Sequence, residues 1–117
     1  MENAKVNILG TEYKIEFGTY KEYPALSKLD GYADTSIRLI VVDDMSRSDG
    51  CVDAKKDLES YQKRVLRHEI IHVFLYESGL AENSRGSESW ATNEEMVDWF
   101  AIQFPKILKV FQELDIL

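Results

Sequence analysis

The sequence has few of the residues on which several classes of protein depend. A single cysteine, Cys51, rules out an internal disulfide and is typical of chains kept in a reducing compartment. Two prolines leave no room for rigid linkers between domains. No apolar run approaches the roughly 20 residues of a membrane-spanning helix, and the first residues are too polar for a signal peptide. We therefore expect a cytoplasmic protein without a membrane partner.

Basic charge is also scarce in this chain. There are 14 lysines and arginines against 21 aspartates and glutamates, which gives a net charge of −7. This balance disfavours binding to nucleic acid phosphates or to anionic lipid, so we expect no nucleic acid partner. A hydrophobic content of 44% in 117 residues is enough for one core. We expect a single domain over residues 1–117.

Hydrophobic periodicity predicts most of the regular structure. Apolar and polar residues alternate on either side of a central glycine over residues 5–17, which predicts a β-hairpin. Residues 18–35 are rich in turn formers, and the β-branched run Ser36–Val42 predicts a further strand. Apolar residues three to four apart predict a long helix from about Asp53 to Ser78, with Gly79 as the residue that follows its end.

The last third of the chain is predicted to be helical after a loop. Residues 80–91 are polar and predict a loop. Thr92 and Glu95 have the spacing of a capping box, which predicts that a helix begins at Thr92. Pro105 should break or kink that helix, leaving Lys106–Leu117 as a short amphipathic helix of its own.

These elements together predict an α+β fold. We expect the hairpin and the further strand to pack against the long helix and against one or two C-terminal helices. Three apolar residues near the end of the chain, Phe111, Leu114 and Leu117, allow two interpretations. They could close the core, or they could form an exposed stripe that binds a second copy. The sequence leaves this choice, and with it the oligomeric state, open.

Both histidines of the chain lie in one motif, His68-Glu69-Ile70-Ile71-His72. On a helix, residues four apart are neighbours on one face, with Cβ atoms about 5–6 Å apart, so the two imidazoles can bind one ion. Glu69 points about 100° away from His68 and can reach a water molecule beside the ion. The motif therefore predicts a metal site, with zinc as the favoured ion.

A catalytic zinc site needs a third protein ligand, and no third histidine exists. The candidates are Cys51, Glu77, Glu82, Glu88, Glu94, Glu95 and Asp98. We favour Glu94, because a carboxylate on a second packed helix gives the simplest geometry and Glu95 is assigned to the capping box, although Glu95 stays open. Asp98 lies four residues after Glu94 and could accept the free ring N–H of a ligand histidine.

The pair of motifs, His68–His72 followed by Asn93–Asp98, resembles the gluzincin metallopeptidase pattern HExxH followed by NExxxD. In size and layout the chain is similar to minigluzincins and to phage-encoded peptidases of the ImmA/IrrE type. The resemblance implies a zincin-like fold with the motif on its active-site helix. It implies zinc ligands at His68, His72 and Glu94, with Glu69 as general base and Asp98 supporting a ligand histidine.

The same resemblance implies that the strand before the active-site helix, Ser36–Val42, lines the cleft and pairs with an extended polypeptide substrate. Larger gluzincins use a downstream histidine or tyrosine to stabilise the oxyanion, and this chain has neither after Tyr76. Tyr20, Tyr23 or Tyr32 could take that place. The expected function is a zinc-dependent metallopeptidase that cleaves an intracellular protein. The alternative is a catalytically idle, zinc-stabilised interaction or regulatory protein of phage or mobile-element type.

Overall fold

The computed structural model describes residues 1–46, 57–83 and 89–117. The strands are β1 (Ala4–Ile8), β2 (Thr11–Gly18), β3 (Gly31–Asp34) and β4 (Leu39–Asp43). The helices are α1 (Leu58–Glu77), α2 (Leu80–Asn83) and α3 (Glu94–Glu113), with 3₁₀ turns at Pro24–Ser27 and Trp90–Thr92. The fold is α+β, as predicted. None of the described helices has the length and apolar character needed to cross a membrane.

The predicted hairpin is present as β1 and β2. The two strands are antiparallel, with Ile8 opposite Thr11 at the closed end. Leu9 and Gly10 form the two-residue turn, and both have positive φ angles, 51° and 93°. This is the conformation of a type I′ turn, which matches the twist of the strands that it joins. The Asn7 side chain accepts a hydrogen bond from the Gly10 amide at 2.8 Å and closes the turn.

The rest of the sheet differs from the sequence-based prediction. The strand order is β1-β2-β4-β3, with β4 parallel to β2 and antiparallel to β3. The segment 18–35, which we interpreted as turns, contains β3 at its end. Its four half-buried residues lack the alternation that marks a strand, and pairing with β4 forms it instead. The predicted strand Ser36–Val42 begins only at Leu39, because residues 36–38 form the turn between β3 and β4.

The main core lies between the sheet and α1. Its buried members are Ile8, Tyr13, Ile15, Ile40, Val42 and Val73. Val65, Leu66 and Ile70 of α1 pack against this cluster. A smaller cluster between α1 and α3 contains Leu75, Ala91 and Val97. The sheet therefore covers one face of α1 and α3 covers another, which fixes the direction in which the remaining side chains of α1 point.

Both ends of α1 have identifiable caps. Asp57 precedes the first turn and accepts a hydrogen bond from the Ser60 amide at 3.0 Å, so the helix begins at Leu58 rather than at Asp53, which lies outside the described residues. Ser78 caps the other end. Gly79 follows with a φ of 86°, as predicted for the residue after the helix.

The start of α3 corrects the predicted capping box. The segment 80–91 is not a simple loop, since its described residues include α2 and the beginning of a 3₁₀ turn. Thr92 ends that turn, and its hydroxyl donates to the Ser89 carbonyl at 3.2 Å. Asn93 is the N-cap of α3, and its side chain accepts from the Met96 amide at 2.8 Å. Glu95 is therefore the second residue of the helix and has no capping position.

Pro105 does not end α3, which contradicts the predicted break and the separate helix Lys106–Leu117. One continuous helix of 20 residues runs through it. A proline at this position leaves the carbonyl of Ala101, four residues earlier, without its helical donor. That carbonyl accepts a hydrogen bond from the Arg67 side chain of α1 at 2.6 Å. The neighbouring helix thus supplies the donor that the proline lacks.

Candidate metal centre

The motif histidines lie one turn apart on the same face of α1. Their ring centroids are 4.8 Å apart, and the Nε2 atoms of His68 and His72 are 3.1 Å apart. The side chains are 19% and 24% exposed, so both rings are held by surrounding atoms yet remain open to solvent at one edge. Two imidazoles whose Nε2 atoms converge in this way can bind one ion between them.

Glu94 completes the group from the first turn of α3. Its carboxylate oxygens lie 3.0 Å from His68 Nε2 and 3.0 Å from His72 Nε2. These three residues could hold a metal ion. Ligand atoms about 2.1 Å from one tetrahedral ion are roughly 3.4 Å apart, so the observed spacing fits such a site after a small outward adjustment. With 71% of its side chain exposed, Glu94 is free to make that adjustment.

Asp98 lies behind His68, at the nitrogen that faces away from the other ligand atoms. Its Oδ1 atom is 3.4 Å from His68 Nδ1, and its Oδ2 atom pairs with the Arg64 guanidinium at 2.9 Å. Arg64 is one helical turn before His68 on α1, so this pair also connects α1 with α3. A carboxylate at Nδ1 favours the tautomer in which Nε2 is unprotonated, which is the form that binds a metal.

Glu69 is the buried carboxylate of the site, with 9% of its surface exposed. Burial raises its pKa, as does the charge of Glu94, while His68 and His72 act in the opposite direction. Gly31, the first residue of β3, lies against it: a Cβ atom built on Gly31 would be 2.7 Å from Val65 and 3.5 Å from the Glu69 side chain. The strand can approach the helix here only because residue 31 has no side chain.

A cleft of about 470 Å³ opens between β3 and the three candidate ligands. Its walls include Gly31, Tyr32 and Ala33 on one side and Glu69 on the other. The strand beside the cleft is therefore β3, whereas Ser36–Val42 was expected there. The predicted strand became β4, an interior strand with both edges paired, and β3 is the outer strand of the sheet. The Tyr61 hydroxyl donates to Asp30, and so links α1 to the start of β3.

The other candidate ligands lie elsewhere or outside the described residues. Glu77 accepts hydrogen bonds from the hydroxyls of Thr11 and Tyr13. Glu95 lines a separate surface pocket with Trp90 and Trp99. Glu82 is exposed in α2, and Cys51 and Glu88 are not among the described residues.

Of the three tyrosines proposed to stabilise an oxyanion, Tyr32 is the one that lines the cleft with the candidate ligands. The Tyr23 hydroxyl donates to Glu16 at 2.9 Å. Tyr32 belongs to the strand that borders the cleft, and burial raises the pKa of its hydroxyl. Tyr20 is 42% exposed in the segment after β2.

Sequence reasoning missed two residues that shape this site, Arg64 and Gly31. Arg64 could have been found from its spacing, since it precedes His68 by four residues and so shares its helix face. Gly31 carried no local signal, because its importance comes from a close contact between elements distant in sequence. Comparison of the chain with protein-family models, with curated proteins and with solved structures gave no significant match.

Proposed function

We propose that this chain is a zinc-dependent metallopeptidase of the gluzincin type, which hydrolyses a peptide bond of an intracellular protein. The observation that carries the proposal is the convergence of His68 Nε2, His72 Nε2 and the Glu94 carboxylate, with a buried glutamate beside them. Two imidazoles and one carboxylate form the ligand set of many catalytic zinc sites, and they leave a fourth position for water.

In the proposed reaction, the residues of this chain bind the ion, hold the ligand rings in orientation and transfer protons. Zinc, when bound, would supply the Lewis acidity that lowers the pKa of water toward about 7. Glu69 accepts a proton from the attacking water at its carboxylate and delivers it to the leaving amine. Asp98 holds the ring of His68 in orientation, and Arg64 holds Asp98.

The outer edge of β3 is the proposed binding position for the substrate backbone. An extended peptide that pairs with this edge would pass over the cleft that contains Glu69. Main-chain hydrogen bonds of this kind give affinity that depends little on the side chains of the substrate. Preference for particular substrate sequences would come from the cleft walls. The proposed substrate-binding strand is therefore β3, and no longer the segment that forms the interior strand β4.

A second candidate function is a catalytically idle, zinc-stabilised interaction protein of phage or mobile-element type. It is favoured by the hydrogen bond that engages the Tyr23 hydroxyl with Glu16, and by the lack of any histidine or tyrosine after Tyr76 in the sequence. Without a donor for the oxyanion, a site loses one of the larger electrostatic contributions to catalysis. Zinc would then stabilise the packing of α1 against α3 without chemistry.

One experiment distinguishes these functions. The protein is freed of metal with a chelator, titrated with zinc by calorimetry, and incubated with unfolded casein while fragments are detected by mass spectrometry. We expect one zinc per chain, and we expect cleavage that Glu69→Gln reduces by at least about 100-fold while leaving zinc binding intact. Glu94→Ala should weaken zinc binding, and Glu95→Ala, its neighbour outside the site, is the matched control.

Each outcome bears on a different part of the two proposed functions. Zinc binding that Glu94→Ala and Glu95→Ala change equally would reject the ligand assignment. Binding as expected but no cleavage by either wild type or Glu69→Gln would favour the idle protein. Absence of zinc binding at millimolar metal would reject both functions.

A further inference from the structure

Among the described residues, little packs against the second half of α3. The buried residues of this helix, Val97 and Ala101, both belong to its first half. From Phe104 onward each side chain is exposed or only half-buried, and residues 109–117 are all exposed. Phe111 and Leu114 are 42% and 64% exposed, so the interpretation in which they close the core is wrong.

A regular apolar stripe, which we call the α3 seam, nevertheless runs from the middle of α3 along this exposed half. It consists of Phe100, Phe104, Ile107, Phe111 and Leu114. The successive spacings are four, three, four and three residues, the pattern of helices that pack along each other. A helix side that faced only solvent would have no physical reason to maintain that spacing.

The seam continues into an apolar groove between α1 and α3. The groove has a volume of about 540 Å³, and its walls include Phe74, Trp90, Phe100 and Phe104. Phe74, Trp90 and Phe104 are 44%, 59% and 48% exposed. Groove and seam thus form one continuous apolar surface, joined at Phe100 and Phe104.

We propose that this surface binds a second copy of the chain, with the two α3 helices packed antiparallel across a two-fold axis. A two-fold contact pairs the same surface on both copies, so it requires a surface that is complementary to itself. The α3 seam meets this requirement because it offers both a projecting apolar helix and a groove that such a helix can enter. A single contact would then cover the exposed seam and the open end of the groove in both copies.

The position of the groove favours the antiparallel direction. The groove lies at the Phe100 and Phe104 end of the seam, whereas Phe111 and Leu114 lie at its projecting end. An antiparallel pair brings the projecting end of each α3 helix to the groove of the other copy. A parallel pair would bring the two projecting ends together and leave both grooves uncovered.

The exposed apolar area is of the size that a dimer requires. An aromatic side chain offers roughly 150–250 Å², so the half-exposed aromatics and Leu114 together provide roughly 400–600 Å² per chain. Stable interfaces bury about 800 Å² per partner, of which the polar rim supplies the remainder. Single exposed apolar residues occur on any protein, but a continuous surface of this extent marks an interaction site.

The proposed interface is separate from the metal centre. Phe74 follows His68 by six residues on α1, which places it about 240° around the helix from that ligand. A second copy on the seam would therefore leave the cleft beside β3 open. The dimer does not depend on the proposed peptidase, and either proposal can fail without the other.

Sedimentation of wild type against two charge-introducing variants tests the dimer. Leu114→Asp lies in the seam, and Ile37→Asp lies in the turn between β3 and β4; both wild-type residues are 64% exposed. The measurement is made in about 150 mM salt, because the net charge of −7 opposes association when screening is weak. Circular dichroism confirms that each variant is folded.

We expect wild type and Ile37→Asp to be dimeric at about 100 µM protein, and Leu114→Asp to raise the dimer dissociation constant by at least about 10-fold. A wild type that stays monomeric at this concentration would overturn the proposal. An equal loss of dimer in Ile37→Asp and Leu114→Asp would also overturn it, since the effect would then come from charge alone.

Discussion

Two neighbouring glutamates show how much the position of one residue decides in this protein. Glu94 and Glu95 are both exposed and both lie in the first turn of α3. Glu94 lies 3.0 Å from two imidazole nitrogens, and Glu95 faces a pocket with two tryptophans instead. Asn93 rather than Thr92 caps the helix, so Glu94 lies beside the two histidines although the capping argument that favoured it was wrong.

At the same scale, we predict that Asp98→Asn weakens zinc binding by about 10- to 100-fold, the usual effect of losing a carboxylate beside a ligand histidine. The amide keeps the shape but removes the charge that favours the metal-binding tautomer of His68. Competition with a coloured zinc chelator measures the affinity.

Glu95→Gln, which removes a charge from the same helix away from the ligands, serves as the control for that measurement. Equal zinc affinity in Asp98→Asn and wild type would contradict the role of Asp98.

The helices α1 and α3 are held together by two arginines of α1. Arg64 pairs with the Asp98 carboxylate, and Arg67 donates to the Ala101 carbonyl at 2.6 Å. The two arginines are three residues apart on α1, and their partners Asp98 and Ala101 are three residues apart on α3. Both contacts therefore lie along one line between the helices. This arrangement explains why α3 passes through Pro105 and why its first turn lies over the histidines.

At the scale of the element, we predict that Arg67→Met destabilises the fold by about 1–2 kcal/mol, because the carbonyl of the buried residue Ala101 loses its charged donor. In a Pro105→Ala background the same change should cost less, since residue 105 then has an amide that can bond to Ala101. Urea denaturation of wild type, of the two single variants and of the double variant gives the coupling free energy between the two positions.

Additive effects of the two changes would show that Arg67 does not replace the missing helical donor. Lys63→Met, an exposed change on the same helix, controls for the loss of a positive charge.

The molecule as a whole keeps several phenols protonated. Burial, and then hydrogen bonds to carboxylates, raise the pKa of Tyr13, Tyr23 and Tyr61 to about 12. Tyr13 joins the sheet to the end of α1 through Glu77, and Tyr61 joins α1 to the segment before β3 through Asp30. These hydroxyls therefore connect the layers of the fold in addition to packing in it.

At the scale of the whole molecule, we predict a loss of stability above about pH 10. The unfolded chain releases the phenolic protons near pH 10 and the folded chain only near pH 12, so between these values the unfolded state binds fewer protons and unfolding becomes easier as pH rises. For Tyr13 the slope is at most about 1.4 kcal/mol per pH unit. Urea denaturation between pH 8 and 11.5 measures it.

Tyr13→Phe removes one of these protons and keeps the ring. It should lower stability at pH 8 by about 1 kcal/mol, through loss of the bond to Glu77, and reduce the decline at alkaline pH. A decline as steep as that of wild type would contradict the role assigned to Tyr13.

The sequence by itself determined the features that depend on residues close together in the chain. The spacing of His68 and His72 placed both imidazoles on one helix face, and the alternation over residues 5–17 produced the hairpin. In both cases the backbone periodicity of a single element sets the geometry, so neighbouring residues contain the information.

Only the tertiary structure decided which elements meet. The outer strand became β3 because it pairs with β4, and Gly31 matters because it contacts α1. The helix α3 continues through Pro105 because Arg67, 38 positions earlier in the sequence, supplies a donor. These outcomes depend on packing between distant segments, where the energy of a contact is shared by residues that no local pattern connects.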